Sequence, residues 1–252
     1  MMRANIFALI LMFFILCIWQ AACFFFAIPD FILPAPSDII ITAVIQAPVI
    51  FPNAMVTGVE IISGIILALS VAVPLAMIMF AKPSIAKAVS PFLVASQAIP
   101  VFAIAPVLIV WLGYGIASKV LMAGVIIFFP ILVSLLEGFK ACDNDFRILF
   151  RLMGAGFWKS MRLLYWPWAL PNFFAGLKVG VTVATIGAVI GEWVGAQQGL
   201  GYLMIQANAR LNANLVFASI LWLTAMGLIL WRFVGILEKR IINWKPKKEF
   251  IR

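Results

Sequence analysis

The stretches Ala4–Pro29, Ile61–Ala81, Ala88–Ser118, Val120–Leu136 and Leu211–Trp231 carry no charged residue. A helix needs about 20 apolar residues to cross the hydrocarbon of a bilayer. Four of the runs reach that length unaided, and Val120–Leu136 reaches it with its flanks. Phe173–Gly195 is a further candidate, interrupted only by Lys178 and Glu192 near its ends. Hydrophobic residues make up 65% of the 252 and charged residues 11%, against roughly 45–50% and 25% in soluble domains. That much apolar surface leaves too little polar surface to cover it in water. In lipid, every backbone polar group pairs internally, so spans are helices or a closed barrel. Barrel strands alternate in polarity over about ten residues. These runs are continuous, so the chain is predicted to be an all-α polytopic membrane protein.

Six spans are expected, at about 6–27, 56–80, 89–112, 119–137, 173–195 and 214–236, within a single domain covering 1–252. The loops are short except 28–55, 138–172 and 196–213. The first run has the basic start and small residues (Ala21, Ala22) of a signal peptide, but Phe24–Ile28 prolongs it, which favours a retained helix. With the N-terminus in the cytoplasm, sixteen of the eighteen cations fall on the inner side or at inner helix ends. Lys119 and Arg210 are the two outside. That asymmetry is the positive-inside signal, and it places both termini in the cytoplasm. The net charge of +9 therefore reports topology and attraction to anionic lipid, not nucleic acid.

Catalytic chemistry finds little to work with. There is no histidine, and Cys17, Cys23 and Cys142 are scattered, forming neither a disulfide framework nor a metal site. Gly154-Ala-Gly156-Phe-Trp-Lys159-Ser160 lacks the Gly-Lys-Ser/Thr ending of a phosphate loop. The chain is thus expected to be no enzyme, to hold no cofactor or metal, and to bind no ATP itself.

The loop 138–172 is the most informative segment. Asp143, Asn144 and Asp145 offer helix N-caps. Two short helices are expected around 145–153 and 157–165, broken at Gly154–Gly156, with Pro167 and Pro171 punctuating the entry to span five. One face of this ledge is apolar, with Phe150, Leu152, Met153, Phe157 and Trp158. Such a face either docks into a partner's groove or lies on the membrane surface.

Pro74, Pro100, Pro106 and Pro130 each remove a backbone donor inside an apolar run, which either kinks a helix or is absorbed as a packing bend. Gly176 and Gly180, then Gly187, Gly191 and Gly195, recur at four-residue spacing. This small-residue face serves a helix contact around a pathway or between two copies of the chain. Glu192, beside Trp193, is either a lining or gate residue or an interfacial carboxylate hydrated at the headgroups. Gln97 either faces a cavity or bonds a neighbouring helix. Glu60 reads as structural, and Lys119 as a span-end anchor.

Gly154, Leu164 ten residues on, and Pro167 three further resemble the cytoplasmic signature of binding-protein-dependent ABC importer permeases. In that family the segment is the coupling helix seated in a cleft of the ATPase subunit. The family's Glu-Ala-Ala triplet is replaced by Ile148-Leu149-Phe150, and the Leu before the Pro by Trp166. Pro91, Ala98-Ile-Pro100, Ala105-Pro106, Trp111-Leu-Gly-Tyr-Gly115, Ser118-Lys119, Phe129-Pro130 and Gly138 are similar to permeases of the nitrate/sulfonate/taurine group. So are Leu170-Pro171, Gly176-Leu177, Glu192-Trp193 and Gly199-Leu-Gly201, a likeness running from about 55 to 237. Glu192-Trp-Val-Gly-Ala196 with Gly199-Leu-Gly-Tyr-Leu-Met204 looks like the thiamine-precursor or riboflavin branch.

The resemblance implies a permease in a bacterial plasma (inner) membrane. It implies a second permease copy, a pair of ATP-binding subunits that hydrolyse ATP, and an external substrate-binding protein as partners. Arg151, Leu152, Gly154, Ala155, Gly156, Phe157, Trp158 and Pro167 would meet the ATPase, and Gln97, Pro100, Glu192 and Trp193 are pathway candidates. The rival reading is a secondary transporter driven by an ion gradient. That class commonly shows repeat symmetry and intramembrane ionisable groups.

Overall fold

The computed structural model describes residues 2–244, so Lys245, Lys247, Lys248 and Arg252, counted above as inner cations, lie outside the described residues. Among those described, the chain is helical with no strand, as expected. The elements are α1 (Met2–Phe25), α2 (Pro36–Ile45), α3 (Ala47–Ala81), α4 (Pro83–Gln97), α5 (Val101–Leu112) and α6 (Ile116–Lys140). After them come α7 (Asn144–Leu152), α8 (Phe157–Ser160), a π-helical turn (Met161–Tyr165), α9 (Trp166–Gly195), α10 (Leu200–Ala209) and α11 (Ala213–Ile241).

Among the described residues, four helices are long and apolar enough to cross a membrane: α3, α6, the continuous Phe157–Gly195 and α11. The pair α4 and α5 makes a fifth if its halves count as one span. Of the six expected spans, four fall on these helices and one on the bent pair; the first, expected at about 6–27, falls on α1, where Ile10–Phe25 is a shorter apolar helix below that length.

Three expectations are corrected. The span expected at 89–112 is not one rod: α4 and α5 meet at an angle of 99°. Pro100 is the extended N-cap of α5, with φ −60° and ψ 120°, and Pro disfavours helical backbone at the residue before it. Pro74, Pro106 and Pro130, by contrast, lie inside helices. Second, α3 begins at Ala47, well before the expected 56, and α2 and α10 occupy segments expected to be loops. Third, Pro167 and Pro171 do not separate the ledge from span five, because Phe157–Gly195 is helical throughout. The Trp166 amide reaches back to the Met161 carbonyl in the π-helical turn. That wider turn accommodates Pro167, which lacks a donor and whose ring would crowd the carbonyl four residues back.

The core is centred on α6, which packs between α3 and α9. Lipid tails are as apolar as leucine, so helices associate in a bilayer through van der Waals fit rather than a hydrophobic drive. The fit here is made by small residues. A methyl group on Gly176 would lie 2.6 Å from the Pro130 carbonyl oxygen and from Ser134 Cβ, and one on Gly187 2.9 Å from Ala123 Cα. Gly191 approaches Lys119, and Gly64 of α3 meets Ala123 from the other side. Of the two uses open to the glycine face of α9, these positions serve a helix contact within the chain.

Replacing Gly176 by Val should therefore overpack this seam, at a cost of about 1–3 kcal/mol. Gly115→Val has nothing within 4 Å of the new Cβ and should leave stability unchanged. Thermal unfolding of the two detergent-purified variants checks the contrast.

Candidate functional site

The ledge sits at the end of α6. Asp143 caps α7, its side chain accepting from the Asp145 amide at 3.0 Å. Arg147 donates to the Lys140 carbonyl at 2.6 Å and lies over the Tyr165 ring. Trp168 donates to the Ala141 carbonyl at 3.0 Å and packs, with tilted rings, against Phe146. These contacts lock α7 to the bases of α6 and α9. The helix ends in a Schellman motif: Ala155 N–H bonds the Phe150 carbonyl and Gly154 N–H the Arg151 carbonyl, each at 3.0 Å. Gly154 takes φ +67°, the left-handed position such a cap needs.

Of the ledge residues expected to meet a partner, Arg151, Leu152, Gly154, Gly156, Phe157 and Trp158 are exposed and Ala155 is half-buried. Leu152 is 81% and Trp158 74% exposed. Pro167 is half-buried within the long helix instead, because the π-helical turn carries the backbone past it.

The pathway candidates divide. Gln97 and Pro100 line one cavity of about 570 Å³ at the α4–α5 bend, with Phe102, Phe129, Ile186 and Ile190. Trp193 lines a second, of about 510 Å³, with Met204, Ile205 and Asn208 of α10. Phe102 belongs to both, so the two adjoin. Val183, Ile186, Ile190 and Trp193 follow helical spacing along one side of α9, distinct from the glycine face that meets α6. Among the described residues, no charged residue lines either cavity.

Glu192 lines neither. It is 1% exposed, so it is not hydrated at the headgroups, and its carboxyl group is the centre of a buried polar cluster. Thr57 Oγ1 donates to it at 2.6 Å, and the Gly201 and Tyr202 amides donate to it at 2.5 and 3.4 Å. The Leu200 amide donates to Thr57 Oγ1 at 2.9 Å and the Gly199 amide to Asn53 Oδ1 at 2.8 Å. The opening amides of α10 thus find their acceptors on two other helices, α3 and α9. A helix N-terminus leaves these donors without intrahelical partners, and acceptors there also meet the positive end of the helix dipole. Gly199 has φ +119°, and a side chain at Gly199 or Gly201 would run into the Glu192 carboxyl.

Glu60, 2% exposed, lies one turn beyond Thr57 with its carboxyl against that of Glu192. Lys119 is buried rather than anchored at the headgroups. Its ammonium donates to the carbonyls of Tyr114 at 2.6 Å, Gly115 at 3.0 Å and Gly195 at 3.4 Å. Sequence reasoning passed over Asn53 and Thr57. The spacing Asn53, Thr57, Glu60 marks one helix face, but its partners stand some 140 positions away.

Comparison with known proteins decides the family. The model of the binding-protein-dependent transport system inner membrane component matches residues 61–243. The chain belongs to that family. A probable ABC transporter permease of Haemophilus influenzae is 38% identical over 90% of this chain and 93% of its own length. The formylaminopyrimidine transport permease of Halalkalibacterium halodurans is 34% identical, over 92% of each chain. A riboflavin transport system permease of Chloroflexus aurantiacus is 38% identical over 63% of this chain and 59% of its own. This ABC transporter permease is accordingly a multi-pass membrane protein of a transport system. Its matched region takes in the ledge, both cavities and all of the Glu192 cluster except Asn53, Thr57 and Glu60.

Glu192→Ala should strand the Gly201 and Tyr202 amides, at about 1–3 kcal/mol for each buried donor left unpaired. The expected result is faster hydrogen exchange confined first to the start of α10 and a lower unfolding temperature. Glu192→Gln, which keeps an acceptor oxygen, should be milder.

Proposed function

We propose that this chain is the non-enzymatic, membrane-spanning half of an ATP-binding-cassette importer. Two copies form the passage, an external binding protein delivers the solute, and a pair of ATP-binding subunits docks under the ledge and hydrolyses ATP. The chain sits in a bacterial plasma membrane with both termini in the cytoplasm, and it needs no cofactor of its own. The observation that carries this reading is the ledge. Large apolar side chains at Leu152, Phe157 and Trp158 stand exposed on a segment whose backbone is rigidly tied to α6 and α9. A rigid apolar knob is what a partner's cleft requires.

The continuity of Phe157–Gly195 supplies a lever. Phe157 and Trp158 stand at one end of this helix, and Ile186, Ile190 and Trp193 face the cavities towards the other. Closure of the ATP-binding subunits would move the knob and, through one stiff element, the cavity wall.

For the solute we favour a pyrimidine thiamine precursor or a riboflavin-like vitamin over a sulfonate, taurine or nitrate. The formylaminopyrimidine and riboflavin relatives support this. So does the chemistry of the cavity walls, which offer Gln97, Asn208 and aromatic rings but no charge to replace the hydration of an anion. The ion-gradient alternative gains nothing from relatives that are ABC permeases.

Trp158→Asp places a charge on the knob without disturbing a core. Losing such an anchor is worth about 2 kcal/mol, or roughly thirtyfold in affinity. Co-purification of the ATP-binding subunit and solute uptake should both collapse in cells expressing the variant. Unchanged recovery and uptake would remove the docking claim.

A further inference from the structure

A groove between α9 and α11 belongs to neither the ledge nor the two cavities. Its basic half, of about 260 Å³, is lined by Lys178, Trp231, Arg232, Gly235, Ile236 and Lys239. Its other half, of about 440 Å³, lies between Thr182 and Thr185 of α9 and Leu223, Gly227 and Leu228 of α11. Trp231 borders both, so the halves are continuous.

Their chemistry differs sharply. Lys178 is paired with Glu238, and its ammonium lies 5.6 Å from the centre of the Trp231 ring. Arg232 and Lys239 complete the basic half, so among the described residues three cations face one carboxylate and two of the positive charges have no ion pair. In the other half the hydroxyls are already engaged. Thr182 donates to the Lys178 carbonyl, Thr185 to the Thr182 carbonyl and Thr224 to the Ile220 carbonyl. Those three hydroxyl protons are therefore already committed within their own helices.

The dimensions select the occupant. The groove follows α11 from Leu223 to Lys239, about 24 Å at 1.5 Å per residue. One leaflet, hydrocarbon plus headgroup layer, is about 20–22 Å deep. Arg232 and Lys239 straddle the end of the apolar part of α11, and exposed Leu228, Ile229 and Phe233 flank the groove. A free phosphate would use the basic end alone and leave the apolar half empty. Basic pockets between membrane helices suit anionic headgroups.

We propose that this groove binds one anionic phospholipid of the adjoining leaflet. The headgroup phosphate sits in the basic half, and an acyl chain runs along Thr185 and Gly227. The site is separate from solute passage and from ATPase docking, so its test stands apart from both.

The experiment is native mass spectrometry of the full-length, delipidated chain titrated with phosphatidylglycerol, phosphatidylcholine or inorganic phosphate. Phosphatidylglycerol should be retained in preference to phosphatidylcholine. Each exposed cation near the surface is worth about fivefold in affinity for anionic lipid, so Arg232→Gln with Lys239→Gln should lower retention about 25-fold. A methyl at Gly227 would lie 3.4 Å from Thr185 Cγ2, so Gly227→Leu fills the apolar half. That variant should weaken long-chain phosphatidylglycerol while sparing its dihexanoyl form. Equal retention of both lipids, or indifference to the double variant, overturns the proposal. Full displacement by inorganic phosphate would make the site a soluble-anion site and overturn it too. A disulfide between two copies through Gly227→Cys would do the same, by showing the groove covered by a second chain.

Discussion

Backbone-to-backbone proximity along α6 is the constraint from which the rest of this structure follows. In lipid there is no hydrophobic penalty for separating apolar helices, so close fit and interhelical hydrogen bonds hold them together. Gly176, Gly180, Gly187 and Gly191 of α9 bring that helix onto Pro130, Ile127, Ala123 and Lys119 of α6, and Gly64 of α3 approaches Ala123 from the opposite side. With α3 and α9 both seated on α6, Thr57 of one and Glu192 of the other come within hydrogen-bonding distance. The buried polar cluster is thus a product of the glycine seam.

That cluster explains why α10 exists where charge and hydropathy indicate a loop. A ten-residue helix is marginal alone. Here its unpaired amides are met by Asn53, Thr57 and Glu192, and its apolar side packs on α11 and α3. Glycine at 199 and 201 leaves room for the Glu192 carboxyl. The helix so placed supplies Met204, Ile205 and Asn208 to the cavity beside Trp193. Polar groups buried in a membrane helix are thereby used to position a wall rather than to touch a solute directly.

At the other end the same seam organises the ledge. α7 is tied back by Arg147 to carbonyls at the end of α6, where Trp168 of α9 bonds the Ala141 carbonyl and packs on Phe146 of α7. The π-helical turn at Met161–Tyr165 lets α9 run on past Pro167 without a break. The exposed apolar surface around Leu152 and Trp158 is therefore fixed relative to the transmembrane core, the condition for transmitting a push. Its two halves meet at Gly154, whose left-handed backbone closes α7.

Much of this was legible beforehand, for physical reasons that act locally. Long charge-free runs demand lipid and helices whatever their partners, and glycine at four-residue spacing marks a close contact from the sequence pattern alone. Asp143 and Gly154 signal the ends of α7 because caps are read within a few residues. The 99° bend between α4 and α5, the unbroken passage through Pro167 and the early start of α3 depend on how a strained turn is accommodated by its surroundings. The roles of Glu192, Thr57 and Lys119 lay further out of reach, since each is set by groups brought from distant parts of the chain. Sequence by itself determined the solvent, the helical class and the apolar ledge, because those depend on each residue's own affinity for water and its near neighbours. Tertiary structure alone decided which buried charges are satisfied and which helix faces enclose a cavity, because a hydrogen bond or a wall exists only once both of its sides have been brought together.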